Sequence, residues 1–127
     1  MSADRPQPGG VDVGRPPSSS WVITVSDIID IVIRSFARAT EDIFNGVATR
    51  RARAACPPAL WRVARRKLTQ INRVRDLREL GVPPGNRLER LSGDRAGQHS
   101  IRINERYRVC FRWENSHANE VEIADYH

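Results

Sequence analysis

The residues best suited to chemistry are the terminal Asp125-Tyr126-His127 and the arginines Arg102 and Arg108 just upstream. Cleaving RNA without a metal needs three things: a group that takes the proton from a 2′-OH, a group that protonates the leaving 5′ oxygen, and fixed positive charge beside the phosphate. Asp, Tyr and His can share the two proton transfers, and arginine supplies the charge through a planar fork of donors. A terminal tripeptide is a weak signal by itself, because chain ends fray. Competing chemistries have no local support: the chain has no P-loop, no glycine fingerprint, no zinc-ligand spacing and no Gly-x-Ser-x-Gly. Cys110 is not expected to be a nucleophile, since strand pairing would bring His99 near it but on the opposite face of the sheet.

The elements that must hold these residues are legible as a change of period. Pro57-Pro58 opens a segment in which Leu60, Ala64, Leu68, Ile71, Val74 and Leu77 recur at steps of four and three. This predicts an amphipathic helix that ends before Gly81, with Arg62, Arg65, Arg66 and Arg73 on its solvent face. From Arg87 onwards the period becomes two, in 100–104, 107–113 and 120–123, which predicts an antiparallel meander of about four strands. Upstream, Ile31–Phe36 suits a first strand, and Thr40 is the expected N-cap of a short helix stopped near Gly46. The expected fold is therefore α+β, a small domain with helices packed on one face of an antiparallel sheet joined by an N-terminal strand.

Register sharpens the site. Residues that oppose each other across an antiparallel pair share a face, so Ile101 is expected opposite Val109, and Arg102 then falls opposite Arg108 on the non-core face. Like charges so placed destabilise a sheet unless something anionic compensates, whether nearby Glu105 with water or a bound anion. The same rule, with Phe111 opposite Ile123, puts Tyr126 opposite Arg108, although a slip of two residues would also satisfy the pattern.

A length of 127 residues suits one domain. Lys and Arg total 21 against 15 Asp and Glu, and Lys67 is the sole lysine. The imbalance lies in the domain: residues 1–30 hold two arginines against four aspartates, whereas residues 31–127 carry a net +8. Such a field attracts nucleic acid, an anionic membrane surface or an acidic protein. Two cysteines are too few for a disulfide framework, so both are expected to be reduced thiols in a cytoplasmic protein. The apolar run Trp21–Ile33 is interrupted by Asp27 and Asp30 and falls short of the ~20 residues a spanning helix needs, so neither a membrane span nor export is expected.

Several blocks together carry a resemblance: Pro83-Pro84-Gly85-Asn86-Arg87-Leu88-Glu89, Leu91-Ser92-Gly93-Asp94-Arg95-Ala96-Gly97-Gln98, Tyr107-Arg108-Val109-Cys110-Phe111-Arg112-Trp113 and Val121-Glu122-Ile123-Ala124-Asp125-Tyr126-His127. They resemble the HigB-type killer toxins of the RelE/ParE superfamily, over a stretch from near Val32 to the last residue. The resemblance implies a compact α+β domain related to microbial ribonucleases that cuts mRNA on the ribosome and needs no cofactor or metal. It also implies a HigA-like helix-turn-helix antitoxin as partner, through which alone operator DNA is contacted. Carried over by position, Arg108 is the arginine expected to hold the scissile phosphate, and Asp125, Tyr126 and His127 form the cleaving trio. Lys67, Arg87, Arg95 and Arg102 are the expected RNA-binding residues. Some relatives carry His and Lys where this chain has Glu89 and Ser92, so the general base stays open, with Glu89 as a candidate.

Residues 1–31 fall outside the resemblance and are rich in Pro, Gly and Ser up to Ser20, so they are expected to be a disordered or dispensable extension of the 32–127 domain. A strand or helix drawn from Trp21–Ile31 is the alternative. Two other functions stay open at this point: a non-catalytic toxin that blocks a protein target, and a degenerate toxin that acts only as antitoxin corepressor.

Overall fold

A computed structural model describes residues 21–23, as backbone, and 32–126. The rest of residues 1–31, including the expected disorder of their Pro-rich start, and His127 lie outside the described residues. Six strands form one sheet in the order β1-β2-β6-β5-β4-β3: β1 (Trp21–Ile23), β2 (Ser35–Ala37), β3 (Glu89–Arg90), β4 (His99–Arg102), β5 (Tyr107–Glu114) and β6 (His117–Asp125). Strands β3 to β6 make the expected antiparallel meander. The sheet as a whole is mixed, because β2 joins β6 in parallel, through Phe36 and Val121. At the far edge, β1 pairs antiparallel with β2.

The helices α1 (Arg38–Asn45), α2 (Arg50–Ala55) and α3 (Trp61–Ile71) complete the domain. Their apolar faces meet Ile101, Val109, Phe111, Val121 and Ile123 of the sheet in one core that includes Ile43, Ala52, Ala64, Leu68 and Ile71. On the other face, the buried apolar residues among those described form a small cluster of Leu91, Cys110 and Ala124. That outer face is where β4 and β5 direct their polar residues, as a period of two requires.

Four local expectations are corrected. The first strand is short because the Val32 and Ile33 amides bond to Asn72 Oδ1 (3.1 and 3.0 Å) rather than to a neighbouring strand. Asn72 also caps α3, so this helix ends there and the chain resumes as a 3₁₀ turn at Leu77–Gly81 instead of continuing to Leu77 as one helix. Thr40 is not an N-cap: it is buried inside α1, and its hydroxyl accepts the Ile123 amide of β6 (3.0 Å), a donor that the short β2 does not reach. Helix α2 was not anticipated, although Thr49 marks it, since its Oγ1 accepts the Ala52 amide. The stop at Gly46 is as expected, in the left-handed conformation that glycine tolerates.

The register of β4 on β5 is as read, with Ile101 opposite Val109 and Arg102 opposite Arg108. That of β5 on β6 is slipped by two residues: Val109 faces Ile123, and Arg108 faces Ala124. The cause is the turn. Asn115 and Ser116 both have positive φ (51° and 64°), which closes a two-residue hairpin between Glu114 and His117 where a longer link was expected. A bulge then places Glu120, at φ 54°, and Val121 against Phe111, so both apolar sets still reach the core.

No helix among the described residues is long and apolar enough to cross a membrane. Since the described core begins at Val32 and β1 adds three residues to the far side of β2, the 32–127 fragment is expected to remain soluble and to melt cooperatively by circular dichroism. A non-cooperative or insoluble fragment would make the extension part of the fold.

Candidate functional site

The outer face holds a groove of about 270 Å³ lined by Arg87, Glu89, Arg102, Asn104, Glu105, Arg108 and Tyr126. Five segments build it. Arg102 comes from β4 and Arg108 from β5, Arg87 and Glu89 from the entry and start of β3, Asn104 and Glu105 from the β4–β5 turn, and Tyr126 from just past the end of β6.

Arg108 is the most constrained of these residues, at 8% exposure. Its Nε donates to Ser100 Oγ (2.7 Å), and its Nη2 donates to the Arg87 carbonyl and more weakly to the Ser100 carbonyl (3.5 Å). Glu89 Oε1 lies 3.7 Å from Nη2. The guanidinium thus leans diagonally across β4 towards β3, and acceptors there offset the repulsion expected between Arg102 and Arg108. Arg102 is half-buried and makes no side-chain hydrogen bond among the described residues.

The Arg87 carbonyl reaches Arg108 because Arg87 has φ 45°, a left-handed conformation that costs a non-glycine residue ~1 kcal/mol. Asn86 fixes the segment from beneath. It is fully buried; its Nδ2 donates to Gln70 Oε1 (3.1 Å) and the Leu80 carbonyl (3.0 Å), its Oδ1 accepts from Lys67 Nζ, and its carbonyl accepts the Arg102 amide (2.6 Å). Lys67, expected on the RNA-facing surface, is therefore a buried strut between α3 and the β3 entry. Burial, and then the Arg66 charge, push its ammonium below the usual lysine range.

The other expected site residues are divided. Arg95 lies outside the groove, where Nη1 donates to Gln98 Oε1 (3.1 Å) and Glu122 Oε1 (3.3 Å). Asp125 is not in the lining. It accepts a two-point bond from Arg106 Nε and Nη2 (2.9 and 2.8 Å), and Tyr126 N donates to the Arg106 carbonyl (2.6 Å). So Tyr126 enters the groove past the end of the ladder rather than opposite Arg108. Cys110 is buried on the outer face, with its thiol pushed up by burial, while His99 stacks on Phe111 on the core side, so the two form no nucleophile pair.

Ser100, Asn86 and Arg106 were missed from sequence. Ser100 had a signal: in the correctly read register it is the diagonal neighbour of Arg108. The other two act through bonds between segments far apart in sequence, which periodicity does not encode.

Residues 44–127, which supply every residue of the groove, match the model of the HigB-like toxins, the RelE-like toxins of type II toxin-antitoxin systems. The chain belongs to this family. It is similar to Toxin HigB-1 of Vibrio cholerae serotype O1, with 39% identity over 57 residues that span 45% of this chain and 60% of that protein. It is also similar to an uncharacterized protein of Haemophilus influenzae, with 35% identity over 67 residues that span 53% of this chain and 66% of the relative. The chain therefore spans less than two thirds of either relative.

The Asn86 bracket has a measurable strength. Asn86→Ala leaves Lys67 Nζ and the Leu80 carbonyl without a partner in a buried site, so urea unfolding should show a loss of about 2–3 kcal/mol. A double-mutant cycle with Lys67→Met should be non-additive by at least ~0.5 kcal/mol, whereas additive losses would mean that the two side chains do not depend on each other.

Proposed function

We propose that this protein is a ribosome-dependent endoribonuclease that cuts mRNA, acts in the cytoplasm, and is neutralised by a HigA-like helix-turn-helix antitoxin. The observation that carries the reading is the groove itself, where an anchored arginine, Arg108, lies beside one with no side-chain hydrogen bond among the described residues, Arg102, with a carboxylate and a phenol on the same lining. A binding module would have no use for a guanidinium held this rigidly next to a proton acceptor. The net +8 of residues 31–127 and the exposed Arg62, Arg65 and Arg66 on α3 favour approach to a polyanion and to an acidic antitoxin.

In this reading the RNA phosphate enters between Arg102 and Arg108. Glu89 takes the proton from the 2′-OH as that oxygen attacks phosphorus, Arg102 holds the phosphate in place, and the Arg108 guanidinium stabilises the charge that builds on the phosphoryl oxygens. The bond to the 5′ oxygen breaks, and this leaving group takes its proton from the terminal Tyr126-His127 pair. The products are a 2′,3′-cyclic phosphate and a 5′-hydroxyl, with no change of oxidation state. Asp125 contributes by tying the terminus to Arg106.

Single-turnover cleavage on programmed ribosomes tests these roles. Arg108→Lys keeps a positive charge but loses the anchored plane, so the bound-state rate should fall by ~10²–10³ with ribosome affinity little changed. Arg62→Ala should instead weaken binding and its salt dependence and leave that rate nearly intact. Equal rate losses in two folded variants would reduce Arg108 to part of a general electrostatic footprint.

A further inference from the structure

Arginine usually meets a phosphate through two parallel N–H bonds, and the Nε/Nη2 edge of the guanidinium is one of the two faces able to make them. In Arg108 that edge is already occupied, because Nε donates to Ser100 Oγ at 2.7 Å and Nη2 to the Arg87 carbonyl. The Nη1 group makes no hydrogen bond to any described residue. Ser100 is fully buried and faces Cys110 and Glu89 across the ladder, so its hydroxyl has nowhere to turn except the outer face of the sheet. Beside it, Arg102 has a cationic head with no side-chain partner among the described residues, and both arginines line the groove.

From this arrangement we infer that Ser100 is a positioning residue: its buried hydroxyl locks the Nε edge of Arg108 against the sheet, so that Arg108 offers an anion only its Nη1 side while Arg102 supplies the adaptable two-point clamp. The inference rests on the reading of Arg108 as the phosphate ligand and adds a division of labour between the two arginines. A fixed guanidinium meets developing charge with no reorganisation, while a free one follows the backbone of a long substrate into place. Without the hydroxyl, Arg108 keeps its charge and its position in the chain but loses the bond that sets its plane. The defect should therefore appear in the rate of the bound complex and not in affinity. Loss of Arg102 should do the reverse.

The test uses the full chain and two independent readouts. In ¹⁵N spectra of the free protein, the Arg108 Nε–H should exchange with water far more slowly than that of exposed Arg62. Ser100→Ala should erase this protection, and Ser100→Thr, which keeps the hydroxyl, should restore it. On programmed ribosomes, Ser100→Ala should slow single-turnover cleavage by about 10- to 100-fold at unchanged affinity, with recovery in Ser100→Thr, whereas Arg102→Ala should chiefly weaken binding. An Arg108 Nε–H that exchanges as fast as that of Arg62 in the unaltered protein overturns the inference without any variant. So does a Ser100→Ala protein that cleaves at the full rate. If the unaltered protein cuts no RNA, the nuclease reading fails, and the exchange measurement still decides whether Ser100 holds Arg108.

Discussion

A guanidinium on a β-sheet with 8% of its residue exposed has lost most of its water, and the surrounding chain must supply acceptors in its place. Arg108 obtains them from Ser100, from the Arg87 carbonyl and from the Glu89 carboxylate, which come from β4 and from the segment that enters β3. This constraint explains features that otherwise look unrelated. Arg87 has a left-handed backbone, and its carbonyl accepts from the cation. Asn86 spends its whole bonding capacity on holding the segment, and Lys67 is buried to complete that bracket. The outer face of the sheet can carry a rigid cation because the loop before it is fixed from the helical side.

The same face receives the chain terminus by a second device. The tight Asn115-Ser116 turn and the bulge near Phe111 set how far β6 runs, and Arg106 then holds both the Asp125 side chain and the Tyr126 amide. A one-residue change in either would move Tyr126 by a strand step and reverse the faces of its neighbours. The site thus depends on register more than on helix packing. The helices contribute the apolar mass of the core and, through Thr40, one bond to the β6 backbone.

Much of this was legible in the sequence where periodicity and face-sharing decide the outcome. The period of two placed Arg102 opposite Arg108, and the stripe through Ala64, Leu68 and Ile71 placed α3 on the core. Asn115-Ser116 misled because Ser at a positive φ is uncommon, so a longer loop fitted the residues better and shifted Tyr126 in the reading. Lys67 misled for a different reason: a lone lysine among arginines reads as a surface cation, and only the fold brings Asn86 to its head group. The Asp125–Arg106 pair was hidden because the acid alone looked like chemistry while its partner sat in a turn.

If the groove around Arg108 cuts messages during translation, cleavage must depend on the ribosome. That dependence can be read by mapping mRNA 5′ ends after induction of the unaltered chain, with each reporter message compared with a twin that lacks its start codon. New 5′-hydroxyl ends within the coding region of the translated message, absent from its untranslated twin, are the predicted result. Growth arrest with no new ends in either message would exclude mRNA cleavage and point to a toxin that acts by blocking a protein.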